Sequence, residues 1–144
     1  SFSIINSQFS IMLKLEIVTP EKRVLDTEVD SVTVTTATGE AGILPNHAPL
    51  ISALKPGILT YTIKGASDKL AVSGGFVEVN GNTVSVLADS ASTADEIDVA
   101  EAKADKESAE KALAAASSAS VEENANLREA LENAMTRIQI AGSK

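Results

Sequence analysis

Val77-Glu78-Val79-Asn80-Gly81-Asn82-Thr83-Val84-Ser85-Val86 decides the fold class of this chain. Apolar Val77, Val79, Val84 and Val86 alternate with polar neighbours on both sides of Asn80-Gly81, the strongest short-range signal for a β-hairpin. A period of two sends every second side chain to the same face, so each run covers a core on one side and meets water on the other. Towards the N-terminus the same alternation recurs in Leu13, Leu15 and Ile17, in Val32 and Val34, in Leu59, Tyr61 and Ile63, and in Leu70 and Val72. Turn residues separate these runs: Pro20-Glu21, Gly39 and Gly42, Pro45-Asn46, Pro56-Gly57 and Gly65. Short strands at roughly ten-residue spacing, with no helix between them, imply a β-sandwich or flattened barrel over residues 12–89.

Towards the C-terminus the composition changes at Ser90. Residues 90–96 read as a polar linker, and no glycine or proline follows until Gly142. Asp98 to Ala116 is rich in Ala, Glu and Lys, all strong helix formers, and Asp98 with Glu101 has the spacing of a helix cap. Ser117-Ser118-Ala119-Ser120 breaks the pattern, and Ser120 with Glu123 opens a second helix as a capping box. Leu127, Leu131, Ala134 and Ile138 mark one face of that helix, with Met135 at its margin. So short a break makes the two helices an antiparallel hairpin over residues 97–140, with 141–144 as a tail. The first helix offers Ala102, Ala109, Ala112 and Ala116 to the packing and one large apolar side chain, Leu113. Each Ala in place of Leu forgoes roughly 2 kcal/mol of burial, so the helices are well specified and their placement weakly so. That is the profile of a movable element.

The 144 residues carry a net charge of −8, which excludes nucleic acid or anionic lipid as the main partner, since both require clustered Lys and Arg. The lack of cysteine excludes disulfides, thiolate metal sites and a cysteine nucleophile. No apolar run approaches the roughly 18 residues of a membrane span. Residues 1–11 are uncharged and precede the patterned sequence, and are expected to be a tag remnant or an upstream extension. His47 is the single histidine and is a poor metal site by itself. Gly39, Gly42, Gly74 and Gly75 lack the Lys-Ser/Thr of a phosphate loop, and Ser73 lacks a nucleophile elbow. Glu107, Glu110, Glu122 and Glu132 read as a solvated face. Nothing combines a nucleophile, a base and an oxyanion donor, so the chain is expected to be no enzyme and to need no cofactor.

Gly39-Glu40-Ala41-Gly42-Ile43-Leu44-Pro45-Asn46-His47-Ala48-Pro49-Leu50 resembles the signature of the epsilon subunit family of rotary ATP synthases, called delta in mitochondria. Other matches follow in the family's order: Thr19-Pro20, Glu28-Val29, Leu54-Lys55-Pro56-Gly57-Ile58-Leu59, Ser73-Gly74-Gly75-Phe76-Val77-Glu78-Val79, Val84-Ser85-Val86-Leu87-Ala88-Asp89 and Ala94-Asp95-Glu96-Ile97-Asp98. The resemblance implies a ten-stranded β-sandwich followed by the helical hairpin, in a central-stalk subunit that is not itself catalytic. Its implied partners are the gamma shaft, the membrane-embedded c-ring and, through the hairpin, the catalytic alpha/beta hexamer, whose ATP hydrolysis the extended hairpin restrains. Its implied location is peripheral, on the cytoplasmic face of a bacterial inner membrane.

By the same resemblance Thr38, Gly39 and Glu40 face the ring, with His47 packed at the same end. Some relatives bind ATP between the helices through Ile/Leu-Asp-x-x-Arg-Ala. This chain reads Ile97-Asp98-Val99-Ala100-Glu101-Ala102, so an acid replaces the arginine that would meet the phosphates. Arg137 matches a second-helix arginine, but Asn133 stands where its companion cation is expected. A nucleotide site built on Asp98 and Arg137 is therefore not expected, and Asp98 reads as a cap. The alternatives are a scaffold sandwich with an autoinhibitory helical tail, unrelated to energy conversion, and a small-ligand sensor.

Overall fold

The structure is a computed structural model that describes residues 12–115 and 120–142. The expected extension at 1–11, Ala116, the break at 117–119 and the tail residues 143–144 lie outside the described residues. Eight strands come first: β1 Leu13–Val18, β2 Arg23–Val29, β3 Ser31–Thr36, β4 Gly39–Ile43, β5 Leu50–Ala53, β6 Gly57–Ile63, β7 Ala66–Asn80 and β8 Thr83–Thr93. After a 3-10 turn at Ala94–Glu96 come two helices, α1 Val99–Ala115 and α2 Val121–Ala141.

Among the described residues the expected ten strands are eight, and the reason lies in β7 and β8. β6 pairs with Ala66–Val72 of β7, whereas β5 pairs with Phe76–Val79 of the same strand. β8 follows β7 along its length, Thr83 opposite Asn80 and Thr93 opposite Leu70, and its first half also pairs in parallel with β1. One layer is therefore β4-β3-β6 with the first half of β7 and the second half of β8. The other is β5, the second half of β7, the first half of β8, β1 and β2. Two strands that each serve both layers fill ten places with eight segments. The inward residues of both layers, among them Leu15, Ile17, Val34, Leu59, Val77 and Val86, form a single core.

The ribbon turns its corner at Gly74 and Gly75, whose φ values are +32° and +107°. At Gly75 a Cβ would run into the carbonyl oxygen of Leu87 on the facing strand, so glycine is required by both conformation and space. The turn joining β7 to β8 is Gly81-Asn82, with only Gly81 at positive φ, the hand that a two-residue hairpin needs. β8 continues past Asp89, pairing Ser90 with Ser73 and Thr93 with Leu70. Residues 90–96, expected as a linker, thus carry the end of β8 and the 3-10 turn. Ladder pairing overrides their polar composition there.

Gly75→Ala is expected to lose about 3 kcal/mol or more, from left-handed strain together with overpacking. Gly39→Ala, where φ is +127° but nothing lies within 4 Å of the added carbon, is expected to lose about 1–2 kcal/mol from strain alone. Urea unfolding of the two variants checks this, and equal losses contradict the corner.

Candidate functional site

Chemistry-bearing side chains are sparse, and the features that can engage other molecules are surfaces. Thr38, Gly39 and Glu40 form an exposed tip at the β3–β4 turn. Behind the tip, the amide of Ala37 donates to the Ala53 carbonyl at 3.1 Å, and that of Leu54 donates to the Gly75 carbonyl at 2.9 Å. The tip is thereby fixed to the corner of the β7–β8 ribbon.

His47 is placed elsewhere. It lies in the β4–β5 loop, where the amide of the preceding Asn46 (φ +67°) donates to Asn82 Oδ1 at 2.8 Å in the β7–β8 turn. β4 stands between it and Glu40, about 13 Å of strand at the usual rise. The structure thus does not bring His47 to the Thr38–Gly39–Glu40 tip: adjacency in the signature becomes opposite ends of a strand. Its Nδ1 donates to the Ala48 carbonyl at 2.7 Å, and its amide donates to the Leu44 carbonyl. Both contacts shape the loop.

Beside the corner, the outer face of the second layer carries an apolar row. Ala53 lies opposite Phe76, Phe76 opposite Leu87, and Leu87 opposite Val18. Phe76 and Leu87 are 58% and 57% exposed, and with Val18, Thr19 and Pro20 they line a shallow depression of about 390 Å³. Large apolar side chains so exposed and adjacent form the kind of patch that marks a partner surface. Alternation alone did not single them out. Their signal was apolar residues at both parities, Phe76 beside Val77 and Leu87 beside Val86.

In the hairpin, Ala102, Ala109 and Ala134 are buried, while Leu113, Leu127, Leu131 and Ile138 are half-buried. Asp98 Oδ1 accepts from the amide of Glu101 at 3.1 Å, and Ser120 Oγ accepts from that of Glu123 at 3.1 Å, so each side chain caps its helix. Arg137 donates from Nη2 to Asp105 Oδ2 at 2.7 Å across the hairpin. A groove of about 350 Å³ beside this pair is lined by Ala109, Ala112, Leu127, Ala130 and Asn133. The structure thus ties Arg137 to α1 and does not bring it to Asp98 as part of one site. Among the described residues no group of three or more His, Cys, Asp or Glu could hold a metal.

The hairpin meets the sandwich through a small foot. Ile140, 1% exposed, and Ala141 pack with Ala71 and Ile97, flanked by Ile58 and Ala94. Ile140 was missed in the sequence because it follows Ile138 by two residues, about 200° around the helix, so the two isoleucines face different neighbours. Beside the foot, the backbone amide and hydroxyl of Thr93 both donate to Glu96 Oε1, at 3.0 and 3.1 Å, and Lys22 Nζ lies 3.4 Å from Oε2. Those two bonds from Thr93, assisted by Lys22, hold the Glu96 carboxyl below the usual range.

Two family models match, the ATP synthase delta/epsilon chain beta-sandwich domain over residues 12–94 and the long alpha-helix domain of the same chain over 95–142. An ATP synthase epsilon chain from Geobacter sp. (strain M21) is 47% identical over 133 residues, covering 90% of this chain and 94% of the relative. One from Carboxydothermus hydrogenoformans is 52% identical over 102 residues, covering 71% and 76% respectively. Among solved structures, a chain of the Euglena gracilis mitochondrial ATP synthase (OSCP/F1/c-ring) is similar with a TM-score of 0.74 and 26% identity, covering 92% of this chain and 82% of that one. A chain of the Tetrahymena thermophila mitochondrial ATP synthase central stalk/c-ring has a TM-score of 0.54 at 17% identity, a likeness of fold, covering 91% and 94%. These matches set aside a scaffold unrelated to energy conversion.

Ile140→Ala is expected to weaken the foot by about 2 kcal/mol, the low end for a buried large-to-small change, and so to loosen the hairpin while sparing the sandwich. Limited trypsin digestion of the intact chain should then cut the helices roughly tenfold faster or more, with the sandwich still resistant. Equal cutting of the helices contradicts the foot as the hold.

Proposed function

The chain belongs to the ATP synthase delta/epsilon chain family, and from that premise we propose that it is a non-catalytic central-stalk subunit whose hairpin restrains ATP hydrolysis. The Phe76–Leu87 row is where the gamma subunit docks, because large exposed apolar side chains adjacent on an outer face have no cover among the described residues. The Thr38–Gly39–Glu40 tip faces the c-ring. It stands at the same corner as the apolar row, through Leu54 and Gly75, so one end of the sandwich meets both. In this reading the protein is held on the cytoplasmic face of a bacterial inner membrane by the ring. Among the described residues no helix is long and apolar enough to cross a membrane.

The observation that carries the regulatory part is the smallness of the foot. The one large side chain that α2 buries in it is Ile140, while Leu127, Leu131 and Ile138 are half-buried along the helix. Those residues can exchange their present surroundings for a surface on the shaft or the alpha/beta hexamer at little net cost, with exposed Arg128 beside them for an acidic partner. Two placements within a few kcal/mol of each other are open to shift by partner binding. Arg137 is occupied by Asp105, and Glu101 opens α1 with negative charge, so nucleotide has no part in the proposal.

Deleting residues 99–144 keeps every strand and the 3-10 turn. Complexes rebuilt with this fragment are expected to assemble and couple normally and to hydrolyse ATP faster than those with the full chain. Steady-state hydrolysis measures it. An unchanged rate contradicts the brake, and lost assembly would make the helices structural.

A further inference from the structure

The β3–β4 turn is built against its own hand. Thr36 pairs with Gly39, leaving Ala37-Thr38 as a two-residue loop. Such loops follow the twist of their strands when the first central residue has positive φ. Neither Ala37 nor Thr38 has it, and the positive value falls on Gly39 instead, at +127°. A turn of this kind splays its strands unless something else holds it.

Thr36 supplies that hold. It is 4% exposed and is the one buried polar side chain among the described residues. Its hydroxyl donates to the Gly39 carbonyl at 2.6 Å and accepts from the Thr38 amide at 3.3 Å. Because its single proton is committed to Gly39, the Thr38 hydroxyl, 3.3 Å away, is the donor between the two threonines. One buried oxygen thus engages both residues that precede Glu40. The base of Thr36 is fixed in turn by its bridge to Leu54. A buried hydroxyl with all its bonds inside one turn sets the direction of that turn, as local side-chain-to-backbone bonds do.

We infer that Thr36 is the positioning residue of the Thr38–Gly39–Glu40 tip, holding Glu40 in the orientation that meets the ring. This rests on the ring-facing reading of the tip. Thr36→Val keeps size and β-branching and removes the hydroxyl, whereas Thr36→Ser keeps the hydroxyl. Full-length chain with bound gamma subunit is titrated onto purified membrane ring, and amide exchange is followed in the free chain. Thr36→Val is expected to weaken ring binding by about tenfold, as the loss of one well-made buried hydrogen bond would, and to speed exchange at the Thr38 amide. Thr36→Ser is expected to match the wild type in both. Glu40→Gln, in parallel, tests the tip itself. If Glu40→Gln binds the ring like the wild type, the ring-facing reading fails and this inference with it. If Glu40→Gln weakens binding while Thr36→Val does not, the positioning role alone is overturned. Should Thr36→Val lose the sandwich fold, Thr36→Ser decides, and a change in its ring binding or Thr38 exchange overturns the role.

Discussion

Between Ser73 and Asp89 two long strands turn a corner together, and most of the molecule is arranged by that turn. β7 and β8 are paired on both sides of it, so each begins in one layer and ends in the other. This is possible because Gly74 and Gly75 accept positive φ and because the carbonyl of Leu87 occupies the space where a Cβ of residue 75 would stand. The corner closes the sandwich over its core. It also turns Phe76 and Leu87 outward, and the amide of Leu54 reaches the Gly75 carbonyl beside it, carrying the β3–β4 tip to the same end. The far end of β8 delivers the chain to Thr93 and the start of the hairpin.

The two modules are held by unlike means. Among the described residues, sixteen buried apolar side chains form the core of the sandwich, whereas four form the foot that joins hairpin to sandwich. At about 25 cal/mol per Å² of apolar burial, that disparity sets a wide gap between the free energy of unfolding the sandwich and that of freeing the helices. Within the hairpin, alanines at 102, 109 and 134 bring the helices close, and the Asp105–Arg137 pair adds direction more than strength, being partly open to water. A helix pair that is internally consistent but lightly docked can move as a unit.

Much of this was legible in the sequence. Alternation identified the strand positions, and the loss of glycine and proline after Ser90 marked the helices. Asp98 and Ser120 announced their caps, since capping depends on chemistry within a few residues. What escaped were properties of pairing between distant segments. Gly74-Gly75 reads locally as a turn or bulge, and only pairing with β8 makes it a bend within one strand that passes from layer to layer. Phe76 and Leu87 sit on an outer face whose neighbours are set by register. His47 and Glu40 are seven residues apart in sequence, yet an extended strand carries them to opposite ends. Ile140 lies outside the stripe of α2 because it serves a second neighbour, and a single-period reading allows for one.

The central claim is that the hairpin opens independently of the sandwich on which it rests. Native-state amide hydrogen exchange at increasing denaturant tests it most directly. The account predicts that amides of α1 and α2 exchange together through a low-energy opening with its own small denaturant dependence. Amides of Val77 to Val86 should exchange through global unfolding. Amides of α1 and α2 that exchange with the same free energy and denaturant dependence as that β core would contradict it.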